Sequence, residues 1–398
     1  MNNKVYSQNL EIISGYLMLF FSFFFYVSPI NTGLDTQPYS IFFATIYFIS
    51  CILNNREVPS YFILLFVFLI IVVLLGYVDF YFFDGGFEVI RGVVNYFAAC
   101  IYIVAFYIFF QNNKFPTKFL IGVIFIYVLI AFIQFFIDAN IFASLVHVRT
   151  TTDRGVTSLT PEPTFFGVVL YLFLLLNTVN TNISEKNRII LSALLIFSIL
   201  FLARSSMVVI YIGLFFLAIF CQREIFRGIS LIIITSFLTY LSLVYIADIV
   251  NDNSIRVLKL LKVIMENGIL VILNDASIND RVGQVYLAIL GFYSNYALPG
   301  LFTTFEYYTH NKSILTDGLF WFGDASNKVI SFWGAYIYEL GFLSLVFFIF
   351  LYFFMRGKRN LVFISIALFI PLWGGVTVAN PLVYMVIVYA IEKGKHDL

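Results

Sequence analysis

Residues 60–78 read SYFILLFVFLIIVVLLGYV and contain no charged side chain. An apolar run of about twenty residues, when helical, matches the thickness of the hydrocarbon core of a bilayer. The rest of the chain has the same character, since 61% of its 398 residues are hydrophobic and only 11% are charged. A soluble domain carries roughly a quarter charged residues, so this composition predicts an all-α polytopic membrane protein.

Apolar runs of this kind recur along the whole chain, and their spacing predicts about twelve transmembrane helices. Runs shorter than about twenty residues are acceptable where a helix end is buried in protein. The first run is too long for the core of a signal peptide and lacks a small-residue cleavage site, so it is predicted to span. The predicted spans are 11–30, 39–54, 60–78, 92–110, 118–137, 164–179, 189–203, 206–221, 228–248, 331–355, 360–376 and 378–392.

Lysine and arginine in the short loops predict the orientation, because cytoplasmic loops are enriched in both residues. With the N-terminus inside, the basic loops all fall on one side of an alternating count, and the outer loop 31–38 has no basic residue. Both termini are therefore predicted to be cytoplasmic. The basic residues assigned to inner loops are Arg56, Lys114, Lys118, Lys186, Arg188, Arg223, Arg227, Arg356, Lys358, Arg359, Lys393 and Lys395.

The large outer loop sets the domain organisation. Residues 1–248 form a predicted membrane domain of nine helices, residues 249–330 form the loop, and residues 331–398 form a membrane domain of three helices. A loop of this length predicts structure of its own. Charged residues recur every three or four positions between Arg256 and Glu266, which predicts an amphipathic helix. That helix lies either on the outer leaflet or against the loop's own core.

One candidate for chemistry lies in the outer segment 138–163 and the helix start that follows. Residues 146–167 read VHVRTTTDRGVTSLTPEPTFFG and place Glu162 between two prolines, the second of which suits the first turn of a helix. A carboxylate there could accept a proton from a substrate hydroxyl. The helix N-terminus, together with Arg149 and Arg154, favours an anion such as phosphate. The alternative is a helix cap with neighbouring surface salt bridges.

Arg204 is a second candidate, because it lies between two short apolar runs at the predicted outer face. An arginine at that depth either reaches outward to lipid phosphate or lines a cavity that holds an anionic substrate. The shortness of both runs suits a hairpin buried in protein, which favours the cavity.

The large loop and the segment 79–91 supply further candidates. In DASINDR (275–281), Arg281 suits bidentate contacts with phosphate, and Asp275 and Asp280 are either its partners or ligands of hydroxyl groups. A solvated ion pair in a loop is the alternative. His310 stands beside two tyrosines that suit stacking against a sugar, although a lone loop histidine is usually incidental. Further candidate contacts in 79–91 are Asp79, Asp84, Glu88 and Arg91.

Several classes of protein are excluded or unsupported by the sequence. The net charge of +1 excludes a nucleic-acid binder that works by bulk electrostatics. The three cysteines (Cys51, Cys100 and Cys221) form no disulfide or metal pattern. Phosphate-binding, dinucleotide-binding and zinc-protease motifs do not occur, and no cluster of acidic residues predicts a metal site, so no cofactor is expected.

Four short patches in a fixed order resemble bacterial O-antigen and capsule repeat-unit polymerases of the Wzy type. They are the outer-loop arginine followed by Pro-Glu-Pro-Thr (154–164), ARSS (203–206), the large penultimate loop with Arg281, and SFWGAYIYELGFLSLV (331–346). The segment YELG (338–341) is similar to the helix start after the large loop in the wider group of polymerases and O-antigen ligases. Ligases of that group have a histidine near the position of Ile330 or Ser331, and His310 lies too far upstream to match it.

The resemblance implies a membrane-embedded glycosyltransferase of the GT-C class in a bacterial cytoplasmic membrane. Its substrates would be oligosaccharide units on undecaprenyl diphosphate, joined at the outer face without a metal, and a chain-length regulator is an expected partner. Arg154, Arg204 and Arg281 would stabilise the diphosphates, and Glu162 would act as the base or orient the acceptor. The alternatives are a flippase or exporter of lipid-linked glycans, an O-antigen ligase, and a non-catalytic scaffold.

Overall fold

The computed structural model describes residues 2–28, 36–83, 86–148, 155–223, 262–263, 273–313, 319–321, 326, 328–358 and 360–393. Within these ranges every regular element is a helix. The α-helices are α1 Asn2–Phe23, α2 Tyr39–Leu53, α3 Ile63–Phe83, α4 Gly86–Asn112, α5 Thr117–Phe136, α6 Pro163–Val179, α7 Glu185–Ser198, α8 Ser206–Arg223, α9 Ala276–Ser294, α10 Phe305–Ser313, α11 Phe332–Leu340, α12 Leu345–Met355, α13 Leu361–Ile364 and α14 Pro381–Lys393.

Short turns of 3₁₀ and π-helix lengthen or link these helices. Ser60–Phe62 precedes α3, the π-helical turn Ile199–Ala203 extends α7, and Gly341–Ser344 joins α11 to α12. The apolar stretch after α13 is broken into a π-helical turn, Ser365–Phe369, and a 3₁₀ turn, Pro371–Trp373.

Five helical stretches in the described ranges are long and apolar enough to cross a bilayer. Shorter apolar helices accompany them, and the twelve-span count stays a prediction, since 228–248 lies outside the described residues. These helices are those of a helical membrane protein. The five stretches are Ser60–Phe83, Gly86–Asn112, Thr117–Phe136, Glu185–Ala203 and Phe332–Met355.

The short helices α6 and α14 lie at the centre of the bundle. Almost every residue of both helices is buried, and α14 packs against α4 and α6. By contrast, α3 exposes a row of large apolar side chains from Ile63 to Val78, which lipid tails would cover. A helix enclosed by other helices does not need a full bilayer length of apolar residues, which explains how α6 is only 17 residues long.

Some boundaries differ from the sequence prediction. The segment 79–91 is mostly helical, because α3 continues to Phe83 and α4 begins at Gly86. The first helix begins at Asn2 and ends at Phe23, earlier than the predicted span 11–30. Arg204 marks the turn between α7 and α8 as predicted, and with a φ of 50° its backbone is in the left-handed region. The predicted amphipathic helix falls outside the described residues except for Lys262 and Val263.

Loops that the charge rule assigns to one side of the membrane contact each other at one end of the bundle. Arg56 pairs with Glu11 at 2.9 Å, and Lys358 lies 3.9 Å from Glu392. The Asn180 side chain donates to Thr117 Oγ1 and accepts from the Tyr389 hydroxyl, which links two further loops assigned to that side to the last helix. The contacts agree with the alternating count, and which end faces the cytoplasm stays a prediction.

Candidate functional site

Arg281 lies in the second turn of α9, where its guanidinium is packed between three parts of the chain. Its Cζ stands 5.9 Å from the centre of the Phe165 ring, and its side chain covers Gly375, where an added Cβ would come within 2.6 Å of it. The positive charge of Arg281 also acts on the phenol of Tyr211 in α8. The side chain is only 11% exposed. The sequence placed DASINDR in a loop; it is instead the start of a helix, and its arginine is largely buried.

The arginine retains unused hydrogen-bonding capacity. Nη1 stands 3.2 Å from Asp280 Oδ2, but Nε and Nη1 are buried and donate no hydrogen bond within the described part of the chain. Buried N–H groups of this kind normally have a partner, and the exceptions call for an explanation. A guanidinium that has one carboxylate beside it and whose Nε and Nη1 donate no hydrogen bond within the described ranges is suited to binding a further anionic group.

Polar contacts hold the helix that carries Arg281. Asp275 caps α9 by accepting from the backbone N–H of Ile278 at 3.2 Å. The buried Asn279 amide donates to Leu273 O and Leu319 O and accepts from the Trp321 backbone. Asp280 accepts from the Trp321 indole at 2.9 Å. Asp280 is therefore a partner of Arg281, one of the two roles that the sequence left open, whereas Asp275 caps α9 and its role in ligand binding stays a prediction.

Glu162 has the position that the sequence predicted. It is the N-cap residue of α6 and Pro163 is the first helical residue, so the predicted helix start is confirmed. Phe165, which lies beside Arg281, belongs to the first turn of the same helix. The first backbone N–H groups of a helix lack partners within it and carry partial positive charge. The Arg281 guanidinium thus lies beside a residue of the first turn of α6.

Arg204 does not join that group. Its Nε donates to Phe201 O at 3.2 Å, its Cζ stands 5.3 Å from the centre of the Phe135 ring, and the residue is exposed. This position corresponds to the alternative in which the side chain reaches outward, rather than to the cavity that the sequence favoured. Its catalytic role stays a prediction.

The remaining candidates that the structure describes lie on α4 and α10. His310 and Tyr307 are exposed on α10. Tyr308 is half-buried against Tyr338, and burial raises the pKa of its phenol. Arg91 is exposed near the start of α4. Arg149, Arg154 and Asp84 lie outside the described residues.

A second polar region, which we call the Glu339 cleft, lies between α4, α11 and the segments 328–330 and 377–378. It is a small cavity of about 90 Å³ that is continuous with solvent. Tyr96 donates to Glu339 Oε2 at 2.7 Å, and Arg91 and Asp79 are the other charged groups that act on this carboxylate. Its polar lining residues include Glu88, Arg91, Asn95, Tyr96, Lys328, Glu339 and Thr377.

Glu339 was not among the site residues predicted from the sequence, where it appears only as part of YELG (338–341). The signal that could have identified it is that an acidic residue within the apolar stretch 331–355 is expensive in a membrane and is a functional candidate by default. Asp79, by contrast, is fully buried and accepts three hydrogen bonds from Phe302 and Thr303. It holds the backbone at Phe302, which lines the cleft, and its role as a substrate contact stays a prediction.

Comparison with known proteins gives no relative: no family model, curated protein or solved structure matches this chain. Within the described residues, no group of three or more metal-ligating side chains occurs.

Proposed function

We propose that this protein is a membrane-embedded glycosyltransferase that joins lipid-diphosphate-linked oligosaccharide units at the outer face of a bacterial cytoplasmic membrane. The proposal includes the twelve-span topology, the GT-C class and the Wzy-type polymerase activity. The observation that carries it is the buried Arg281 guanidinium, which packs on the first turn of α6 and whose Nε and Nη1 donate no hydrogen bond to any residue that the structure describes.

The chemistry requires stabilisation of a leaving diphosphate. As the bond between the anomeric carbon and the phosphate oxygen breaks, that oxygen keeps the electron pair and negative charge develops on it. A fixed cation and helix N–H groups stabilise such charge with little reorganisation, and removing one donor of this type typically costs about 10²–10³ in rate. Arg281 is assigned this role, with Arg149, Arg154 and Arg204 as additional diphosphate contacts predicted from the sequence.

The attacking hydroxyl of the acceptor requires a proton acceptor or an orienting group. Glu162 is assigned this role because it is a carboxylate at the N-terminus of the helix against which Arg281 packs. A carboxylate within hydrogen-bond reach of the hydroxyl can take its proton as the new glycosidic bond forms.

The experiment that tests this proposal is deletion of the gene in its native host. The deletion strain is complemented with wild type, Arg281→Ala, Arg281→Lys or Glu162→Gln, and surface glycan is resolved by length on a gel. Glu306→Gln is the matched control for Glu162→Gln, because Glu306 is an exposed glutamate of α10. Protein levels in the membrane are measured for each variant.

We expect the deletion to leave single repeat units on the surface, and Arg281→Ala and Glu162→Gln to reproduce that pattern. Arg281→Lys should restore polymer only partly, since lysine keeps the charge but not the fork of donors. If the deletion removes even single units, the protein acts earlier, and the flippase alternative replaces the polymerase. If the deletion leaves the polymer unchanged, the proposed function is wrong.

A further inference from the structure

The Glu339 cleft has no part in the diphosphate chemistry proposed above, yet its groups are arranged to bind a ligand. Glu339 uses Oε2 to accept the Tyr96 hydroxyl, and Tyr96 is itself fully buried, so the carboxylate is held in one orientation. Oε1 makes no hydrogen bond to any described residue, and Glu339 lines the cleft. The cleft therefore contains a fixed carboxylate oxygen with free acceptor capacity.

A second polar group of the cleft is a threonine hydroxyl. Thr377 lines the cleft, and its buried hydroxyl has no hydrogen-bond partner among the residues that the structure describes. A hydroxyl both donates and accepts. Leaving it unpaired in a buried position costs free energy, which a bound polar ligand would recover.

The charges of the cleft indicate the chemical class of the ligand. The lining contains two cations, Arg91 and Lys328, and two acids, Glu88 and Glu339. A polyhydroxylated ring can donate to the acids and accept from the cations, whereas a simple anion or cation matches only half of these groups. Phe302 adds an aromatic surface, which suits packing against the apolar face of a sugar.

We propose that the Glu339 cleft receives one sugar ring of the acceptor at its opening to solvent, with Glu339 Oε1 accepting a hydrogen bond from a sugar hydroxyl and Thr377 completing the contact. The inference rests on the proposed function and assigns the acceptor to a different part of the protein from the diphosphate. The two parts are adjacent in the chain, because Gly375 lies under Arg281 and Thr377 follows two residues later.

The experiment measures two probes on the full-length protein in nanodiscs. One is the lipid-free oligosaccharide released from the host's own surface glycan, and the other is farnesyl diphosphate, a lipid diphosphate without sugar. Dissociation constants are measured for wild type, Glu339→Gln, Thr377→Val and Arg281→Ala, with Glu306→Gln as the control. Thr377→Val removes no hydrogen bond within the described chain, so it reports on the ligand even where Glu339→Gln disturbs folding.

We expect Glu339→Gln and Thr377→Val to weaken oligosaccharide binding by about tenfold, the loss typical of one hydrogen bond to a fixed polar group. Both variants should bind farnesyl diphosphate as wild type does, and Arg281→Ala should show the reverse pattern. The inference is overturned if wild type binds no oligosaccharide, or if both cleft variants bind it as tightly as wild type. The proposed function is tested separately by the deletion strain. Normal polymer in that strain refutes the function, whether or not the protein binds oligosaccharide.

Discussion

The hydrogen bonds of Asp79 give the sharpest prediction about what holds the outer end of the molecule together. Its side chain is fully buried at the end of α3. Oδ2 accepts from the backbone N–H groups of Phe302 at 2.7 Å and Thr303 at 3.2 Å, and Oδ1 accepts from the Thr303 hydroxyl at 2.6 Å. Because residues 79 and 302 are far apart in sequence, this carboxylate joins the membrane helices to the large loop.

The expected magnitude follows from these three bonds. A hydrogen bond to a charged group contributes roughly 1.5–3 kcal/mol, and a buried donor left unpaired costs about 1–3 kcal/mol. Asp79→Ala leaves all three donors without their acceptor, so at about 1–3 kcal/mol for each donor the expected loss of stability is about 3–9 kcal/mol. Asp79→Asn can keep an acceptor on the two N–H groups and turn its amide toward the Thr303 hydroxyl. It therefore loses only the charge, at about 1–3 kcal/mol.

The assay is retention of the monodisperse protein in detergent after heating, followed by size-exclusion chromatography. The expected order of heat resistance is wild type, Asp79→Asn, Asp79→Ala. Thr303→Val removes a single bond and should be close to Asp79→Asn. The double variant should lose less heat resistance than the sum of the losses in Asp79→Asn and Thr303→Val, because the two side chains contact each other. Equal heat resistance of Asp79→Ala and wild type would refute the reasoning.

Three further predictions concern the same end of the molecule. Gly375 has a φ of +99°, and a Cβ added there would lie 2.6 Å from Arg281 Cδ and Nε. We therefore expect Gly375→Ala to displace the guanidinium and to reduce surface polymer as Arg281→Ala does, with an unchanged amount of protein in the membrane. Full-length polymer on the gel would contradict this. Gly341→Ala should lower heat resistance, because φ is +55° and the Cβ would approach Ala297 O to 2.5 Å; the left-handed conformation alone costs about 1–2 kcal/mol. Asn279→Ala removes the amide that ties Leu273, Leu319 and Trp321 together, so limited proteolysis should cut the large loop faster, whereas Trp321→Phe, which loses only the indole donor to Asp280, should resemble wild type.

Local sequence rules were sufficient for some features of the fold. Pro163 after Glu162 predicted the start of α6, because proline loses nothing in the first turn of a helix, and the structure confirms it. The turn at Arg204 was also predicted, from the two short apolar runs beside it. DASINDR was assigned to a loop because most of its residues are polar, although a helix begins within it. Asp275 is the capping residue there, and the apolar positions that define α9 follow it.

The candidate sites required contacts that no local rule supplies. Tyr96 and Glu339 are 243 positions apart, and Arg281 meets Phe165 from another part of the chain. A scan for intramembrane acids would have marked Glu339, but nothing near it in sequence indicates which tyrosine orients it. The burial of Arg281 was equally hidden, since a lone arginine in a polar loop sequence is normally solvated.

The arrangement of the central helices explains how polar groups reach the interior at this end. Helix α6 begins at Pro163, and α14 begins at Pro381 after the non-helical residues 374–380. Both helices are too short to cross a bilayer alone, so the polar backbone before each one must lie within protein or line a cavity. Arg281 packs against the beginning of α6 and against Gly375, and Thr377 and Val378 line the Glu339 cleft. The two candidate sites thus lie beside the segments that precede the short central helices, where polar side chains can cover backbone groups that lipid could not satisfy.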